Sequence, residues 1–209
     1  MKRSMALFVS SLLLVSICNS AKNANESNFK AAINQYLSRN GKACVPVLHP
    51  FPIDIPVARL HDSSGTAAEM AALESAGLLH SSNTTAVVHG MLDALRGPTP
   101  PQPVKRYEPT ATGQKYLQQY PTVIGQANGF CYGQKQVDSI VKWDEPVTQG
   151  SYSVTRVTYT YKLEQLADWA RRPGIQRTFP VIKATLDQAK TNQEIDLHLT
   201  NKGWEAGGF

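Results

Sequence analysis

Five histidines, His49, His61, His80, His89 and His198, are the side chains best suited to hold a metal or move a proton, so their spacing is the first chemical question. None lies in an HExxH or HxH pattern, and none joins a Cys/His cluster of ligand spacing. His198 falls on the polar side of an alternating segment, and the five read as a scattered, solvated set. A hydrolase would also need a nucleophile, and Asp62-Ser63-Ser64-Gly65 sets a serine beside a carboxylate. The GxSxG elbow of the common serine hydrolases is missing, and these residues read more simply as a loop leading into a helix at Thr66. His61, Asp62, Ser63 and His89 remain the set from which a triad assembled only in three dimensions would be drawn. Asp144-Glu145 beside Trp143 reads as a polar turn, because adjacent carboxylates on a strand point to opposite faces. Gly125, Gly129 and Gly133 lack the Lys-Ser/Thr ending of a phosphate loop. The sequence therefore assigns no catalytic residue, no metal and no cofactor.

The three cysteines carry the clearest chemistry. Lys2 and Arg3 precede an apolar run from Met5 to Ile17, and Cys18-Asn19-Ser20 closes it with small residues. That is the anatomy of a bacterial-type export signal spanning residues 1–20, with an apolar run too short to span a bilayer comfortably. Cleavage after Ser20 gives a soluble chain starting at Ala21, either periplasmic or secreted. Val15-Ser16-Ile17-Cys18 offers a second outcome, since it resembles a lipobox and would leave Cys18 lipidated on an outer-membrane lipoprotein; Ile17 departs from that pattern. Either way Cys44 and Cys131 are what the fold retains. In an oxidising compartment, two thiols without metal-type spacing are expected to form a disulfide.

Composition narrows the partners. The formal charge of +5 falls to +3 once Lys2 and Arg3 leave, 19 basic residues against 16 acidic. No run of Lys or Arg exceeds two, so nucleic acid is not an expected partner, and after the signal no apolar stretch reaches transmembrane length. The 189 residues from Ala21 onward suffice for one sizeable domain or two small ones sharing a core.

The elements that must position these groups follow from periodicity. A helix over about 28–38, capped by Ser27, has Phe29, Ile33 and Leu37 on one face. An extended, proline-spaced stretch starts at Cys44. A second helix has Thr66 and Glu69 as a capping box and Gly77 as its left-handed end. Residues 96–109 carry five prolines and read as a stiff extended connection, followed by a helical run through Tyr116 and Leu117. Residues 134–143 and 151–163 alternate and should form an antiparallel hairpin. In the first, Val137, Ser139, Val141 and Trp143 share a face; in the second, Val157, Tyr159, Tyr161 and Leu163 do. A helix is expected from Glu164 to before Pro173. A stripe through Ile175, Phe179, Ile182, Leu186 and Ala189 is broken at Pro180, and a strand is expected over 194–200. Trp143, Tyr159, Tyr161, Trp169 and Trp204 could line a ligand groove, but most are more simply core.

Together these predict an α+β protein with a mainly helical amino-terminal half over 21–120 and, over 121–209, an antiparallel sheet packed by two helices. The helix ending in Gly77-Leu78-Leu79, followed by Tyr107-Glu108-Pro109-Thr110 and Gly113-Gln114-Lys115-Tyr116-Leu117, resembles winged-helix modules, with Pro109 departing from the usual Leu. Phe130-Cys131-Tyr132-Gly133, the Val157 to Tyr161 segment, Asp168-Trp169-Ala170 and Gly203-Trp204-Glu205 resemble a group of uncharacterised exported proteins of Gram-negative bacteria. That resemblance implies a periplasmic or surface location and brings no catalytic residues. The expected role is a non-enzymatic envelope module that binds another protein or a small ligand. A secreted hydrolase and an envelope inhibitor or immunity protein are the alternatives.

Overall fold

The computed structural model describes residues 21–88, 100–122, 125–150 and 152–207. The export signal, Cys18 and His89 lie outside the described residues, as does part of the proline-rich connection.

The chain begins with α1 (Glu26–Asn40), whose cap is Asn25, not Ser27: the Asn25 Oδ1 accepts the Asn28 N–H at 2.9 Å. Then come β1 (Lys42–Val47), β2 (Ile53–Pro56), a 3-10 turn at Val57–Arg59 and α2 (Gly65–Ser75). Helix α2 starts two residues before the expected capping box at Ser64, which makes no side-chain cap bond. Its far end is the expected left-handed stop. Gly77 has φ 79°, and the Leu78 N–H reaches back to the Leu73 carbonyl at 3.0 Å. Strands β3 (Leu79–Ala86) and β4 (Gln102–Pro109), the short α3 (Ala111–Tyr116), β5 (Leu117–Thr122) and the nineteen-residue β6 (Gly125–Trp143) follow. The remainder is β7 (Val147–Gln149), β8 (Tyr152–Glu164), a 3-10 turn at Asp168–Arg171, α4 (Pro173–Thr178), α5 (Pro180–Gln188), β9 (Gln193–Thr200) and β10 (Gly203–Ala206).

The expected helical amino-terminal half is therefore corrected. Among the described residues the chain is mostly strand, in a curled seven-stranded antiparallel sheet and a three-stranded sheet. The large sheet runs β1-β6-β8-β9-β10, with β5 also on β6 and β7 on β8, so it recruits β1 from the half that was expected to be helical. The small sheet, β2-β4-β3, lies entirely within 53–109, and its middle strand β4 occupies part of the 96–109 stretch that the prolines predicted to be an extended connection. Strand β2 pairs only residues 104–107 of β4. Pro103 and Pro109 lie beyond that doubly paired stretch, where a missing N–H can be accommodated.

Two details of the carboxy-terminal half also differ from expectation. The β6–β8 ladder shifts register between Val137 and Ser139 and again between Ile140 and Lys142. These irregularities reset the alternation, so Ile140 packs with the core while Val141 is left outside. The helix expected from Glu164 is instead the end of β8, a positive-φ residue at Gln165 (φ 53°) and the short 3-10 turn. The break at Pro180 separates α4 from α5, with Pro180 in the first turn of the latter.

Apolar residues gather in two clusters. Phe29, Ile33 and Leu37 of α1 fill the concave side of the large sheet against Val137, Val157, Tyr161, Leu197 and Trp204. The Phe29 ring meets Trp204 and Trp143 edge-on at 5.2 and 5.4 Å. The second cluster joins β1, Phe130 and Tyr132 to α2, the small sheet, Trp169 and the α4–α5 pair. Helix α1 also closes part of the β6 edge that β1 leaves open. Asn34 Oδ1 accepts the Val137 N–H at 2.8 Å, and the Lys30 amine donates to the Asp138 carbonyl at 2.8 Å. Cys44 and Cys131 face each other across β1 and β6 and form a disulfide, so the bridge staples one sheet.

Candidate functional site

The residues a hydrolase would draw on are not assembled into a relay. Asp62 Oδ2 accepts from Arg59 Nε at 2.9 Å, next to the 3-10 turn, while His61 and Ser63 point into solvent. Among the described residues no hydrogen bond joins His61 or Ser63 to Asp62. His80 lies 3.7 Å from Glu108 on the small sheet, and His198 lies 4.0 Å from Glu205 across β9 and β10. Asp144 and Glu145 are exposed between β6 and β7, where the Asp144 main chain bonds to Arg156 and Thr155 of β8. Among the described residues no group of three His, Cys, Asp or Glu side chains is placed to hold a metal.

One serine does meet a carboxylate and a lysine, a cluster not visible in the sequence because α2, β3 and β4 bring it together. Ser81 donates to Glu74 Oε1, and Lys105 donates to Glu74 Oε2 at 2.8 Å. Burial alone would raise the Glu74 carboxyl; hydrogen bonds from Lys105 and Ser81 outweigh it and hold that carboxyl below its usual range. The bond to Glu74 in turn raises the Lys105 amine. A carboxylate held low is a weak base and a protonated amine has no lone pair to offer, so neither is poised to take the Ser81 proton, and the cluster joins helix to sheet.

A recess lies where the second half of α1 meets the β9–β10 hairpin. It encloses about 500 Å³ between Gln35, Tyr36, Arg39 and Asn40 on the helix and Lys202 and Glu205 on the hairpin. These residues lie along the flank of the helix beside its core face, with Tyr36 packed partly against the core and Gln35 and Arg39 turned further out. The hairpin is tight: Thr200 pairs with Gly203, leaving Asn201 and Lys202 as the loop, and Gly203 takes φ 123°. Beside it lies a recess of about 270 Å³ that shares Tyr36 and Gly207 and is walled by Val154, Ile195 and Leu197. Gly207 (φ 82°) packs against the Tyr36 ring at the junction, where a Cβ would come within 3.0 Å of it.

Charge is unevenly committed around this trough. One of its carboxylates is taken: Asp196 accepts from Arg156 Nε and Nη2 at 2.8 and 3.2 Å, while Glu205 lies 4.0 Å from the His198 imidazole, which compensates it only when protonated. The bond from Arg156 holds the Asp196 carboxyl below its usual range. Its cations are not: Arg39 and Lys202 have no carboxylate partner among the described residues. Arg39 sits in the last turn of α1, where the helix dipole favours a cation, so its charge needs no acidic neighbour. Of these residues the sequence marked His198, Ile195 and Leu197 by strand alternation and Glu205 within Gly203-Trp204-Glu205, but it gave no signal that Arg39 and Lys202 would meet. Comparison with protein-family models, with characterised proteins and with solved structures finds no match to this chain.

Proposed function

We propose that this is an exported, non-enzymatic binding module that holds a small anionic ligand in the trough between α1 and the β9–β10 hairpin. One observation carries the reading: Arg39 and Lys202, two cations without acidic partners among the described residues, line one recess in which the one described carboxylate is Glu205, 4.0 Å from His198. An anion entering there gains two charge-assisted contacts without having to displace an internal salt bridge. The amides of Gln35 and Asn40 add polar groups along the same wall. A disulfide, and the lack among the described residues of a helix long and apolar enough to cross a membrane, support the exported part of the reading.

Titration of isotope-labelled protein with inorganic phosphate tests it. Amide shifts should concentrate at residues 35–41 and 201–207 and vanish in the Arg39→Gln/Lys202→Gln double variant. Shifts elsewhere, or equal shifts in the double variant, would refute it.

A further inference from the structure

The trough between α1 and the β9–β10 hairpin holds charges of both signs that do not neutralise one another. Glu205 lines it with Arg39 and Lys202 but forms a salt bridge with neither, and its ion-pair neighbour is the His198 imidazole at 4.0 Å, beyond hydrogen-bond reach. The fold fixes this arrangement. The Thr200 hydroxyl accepts the Lys202 N–H at 3.1 Å and donates to the Gly203 carbonyl at 2.9 Å, which holds the main chain of the loop that carries Lys202. Glu205 is set by its pairing with His198 across β9 and β10, and Arg39 by the last turn of α1. The Asn40 amide nitrogen donates to the Tyr36 carbonyl at 3.1 Å, so its oxygen is a second acceptor on the helix wall. Ala32, Ala206 and Gly207 are small, and the room they leave, about 500 Å³, falls in the range of small-molecule sites. An inorganic anion would meet the two cations there, but it would also meet the Glu205 carboxylate with nothing to offer it.

We infer, on the strength of the anion-binding reading above, that the ligand is a small zwitterion, its anionic group between Arg39 and Lys202 and its ammonium group at Glu205. Charge complementarity fixes its orientation, since the reverse pose sets the ammonium against two cations and the anion against a carboxylate. The Glu205 side chain is 38% exposed, and Arg39 and Lys202 lie at the surface. The added ion pair therefore has the strength of an exposed one, about two- to fivefold in affinity. Its sign separates two kinds of surface. An ammonium group makes a ligand less negative overall, so a surface that merely attracts anions binds the zwitterion more weakly than an anion of the same size. A site completed by Glu205 binds it more tightly.

The test measures affinities from the amide shifts of isotope-labelled protein at pH 8, with phosphoethanolamine against ethyl phosphate and 3-aminopropyl phosphate against propyl phosphate. The two spacers, of two and three carbons, allow for the span from the cations to Glu205. In at least one pair the amine should bind about two- to fivefold more tightly than its alkyl counterpart. Glu205→Gln, a change at a partly exposed position on the edge strand β10, should erase or reverse that preference while the alkyl phosphates still bind. If the alkyl phosphates shift residues 35–41 and 201–207 but neither amine is preferred, or the preference survives Glu205→Gln, the zwitterion inference fails and the anion-binding reading stands. If no probe shifts these residues, both fall.

Discussion

Replacing Gly113 by alanine should unfold this protein more easily, even though alanine is the better helix former. The residue lies in α3, and a Cβ built there falls 1.9 Å from the Leu78 carbonyl oxygen and 2.9 Å from its carbon. That carbonyl is fixed from the other side, accepting the Thr110 N–H at 3.0 Å while the Thr110 hydroxyl donates to Gly77 O at 2.8 Å. Thr110 also caps α3 through the Gly113 N–H at 2.9 Å. Relieving the clash requires a retreat of more than 1 Å, enough to break the Thr110 N–H to Leu78 bond, for about 1–3 kcal/mol. Disturbing the cap adds about 1 kcal/mol, and the gain in helix propensity returns about 1. The net loss is about 1–3 kcal/mol, or roughly 2–12 °C in Tm for a chain of this size. Urea denaturation followed by circular dichroism should show a lower midpoint with an unchanged slope. Gly174→Ala in α4 is the control, since its nearest neighbour is Arg177 Nη2 at 3.8 Å, and it should stabilise by up to about 1 kcal/mol. Equal behaviour of the two variants would refute the steric argument.

The same assay reaches other parts of the fold. Cys131→Ser, which opens a bridge between residues 87 apart, should cost about 2–5 kcal/mol, and reducing agent should shift the natural protein to the same midpoint. Asn34→Leu strands the Val137 N–H on the β6 edge and should cost about 1–3 kcal/mol; Asn34→Asp should recover most of the loss, because the accepting oxygen is retained. Burial pushes the Tyr161 hydroxyl from 10.0 up to about 12, and its proton is donated to the Thr185 carbonyl at 2.7 Å. A raised native value means the unfolded chain loses this proton first. Stability is therefore whole below about pH 10 and declines from there toward pH 12; Tyr161→Phe should flatten that decline, and an unchanged alkaline profile would discount the residue.

What the sequence made legible was whatever local periodicity determines. The Phe29, Ile33 and Leu37 face of α1, the Gly77 stop and the Val157 to Tyr161 face of β8 are each fixed within a few residues, and all three are present in the structure. The fold class was misjudged because its deciding pairings are long-range. Proline spacing argued against strands over 96–109, yet β4 needs its N–H groups on both sides only between 104 and 107. The register shifts in β6 hid Ile140 among apparently outward residues, and no alternation rule anticipates them. The trough was not legible for a related reason: Arg39 and Lys202 are ordinary surface cations in sequence, and only the docking of α1 beside the β9–β10 hairpin brings them to one recess.

That docking also sets the order in which the molecule can be completed. The Trp204 indole N–H donates to the Lys22 carbonyl at 3.1 Å, across 182 positions, and the same ring covers Phe29 of the first helix. Synthesis delivers α1 well before its covering strand, so a chain that has not yet reached β10 lacks the residues that close this side of the sheet. Closure therefore waits for a contact across most of the intervening sequence. For a chain exported unfolded, as proposed above, this architecture would supply its own waiting period.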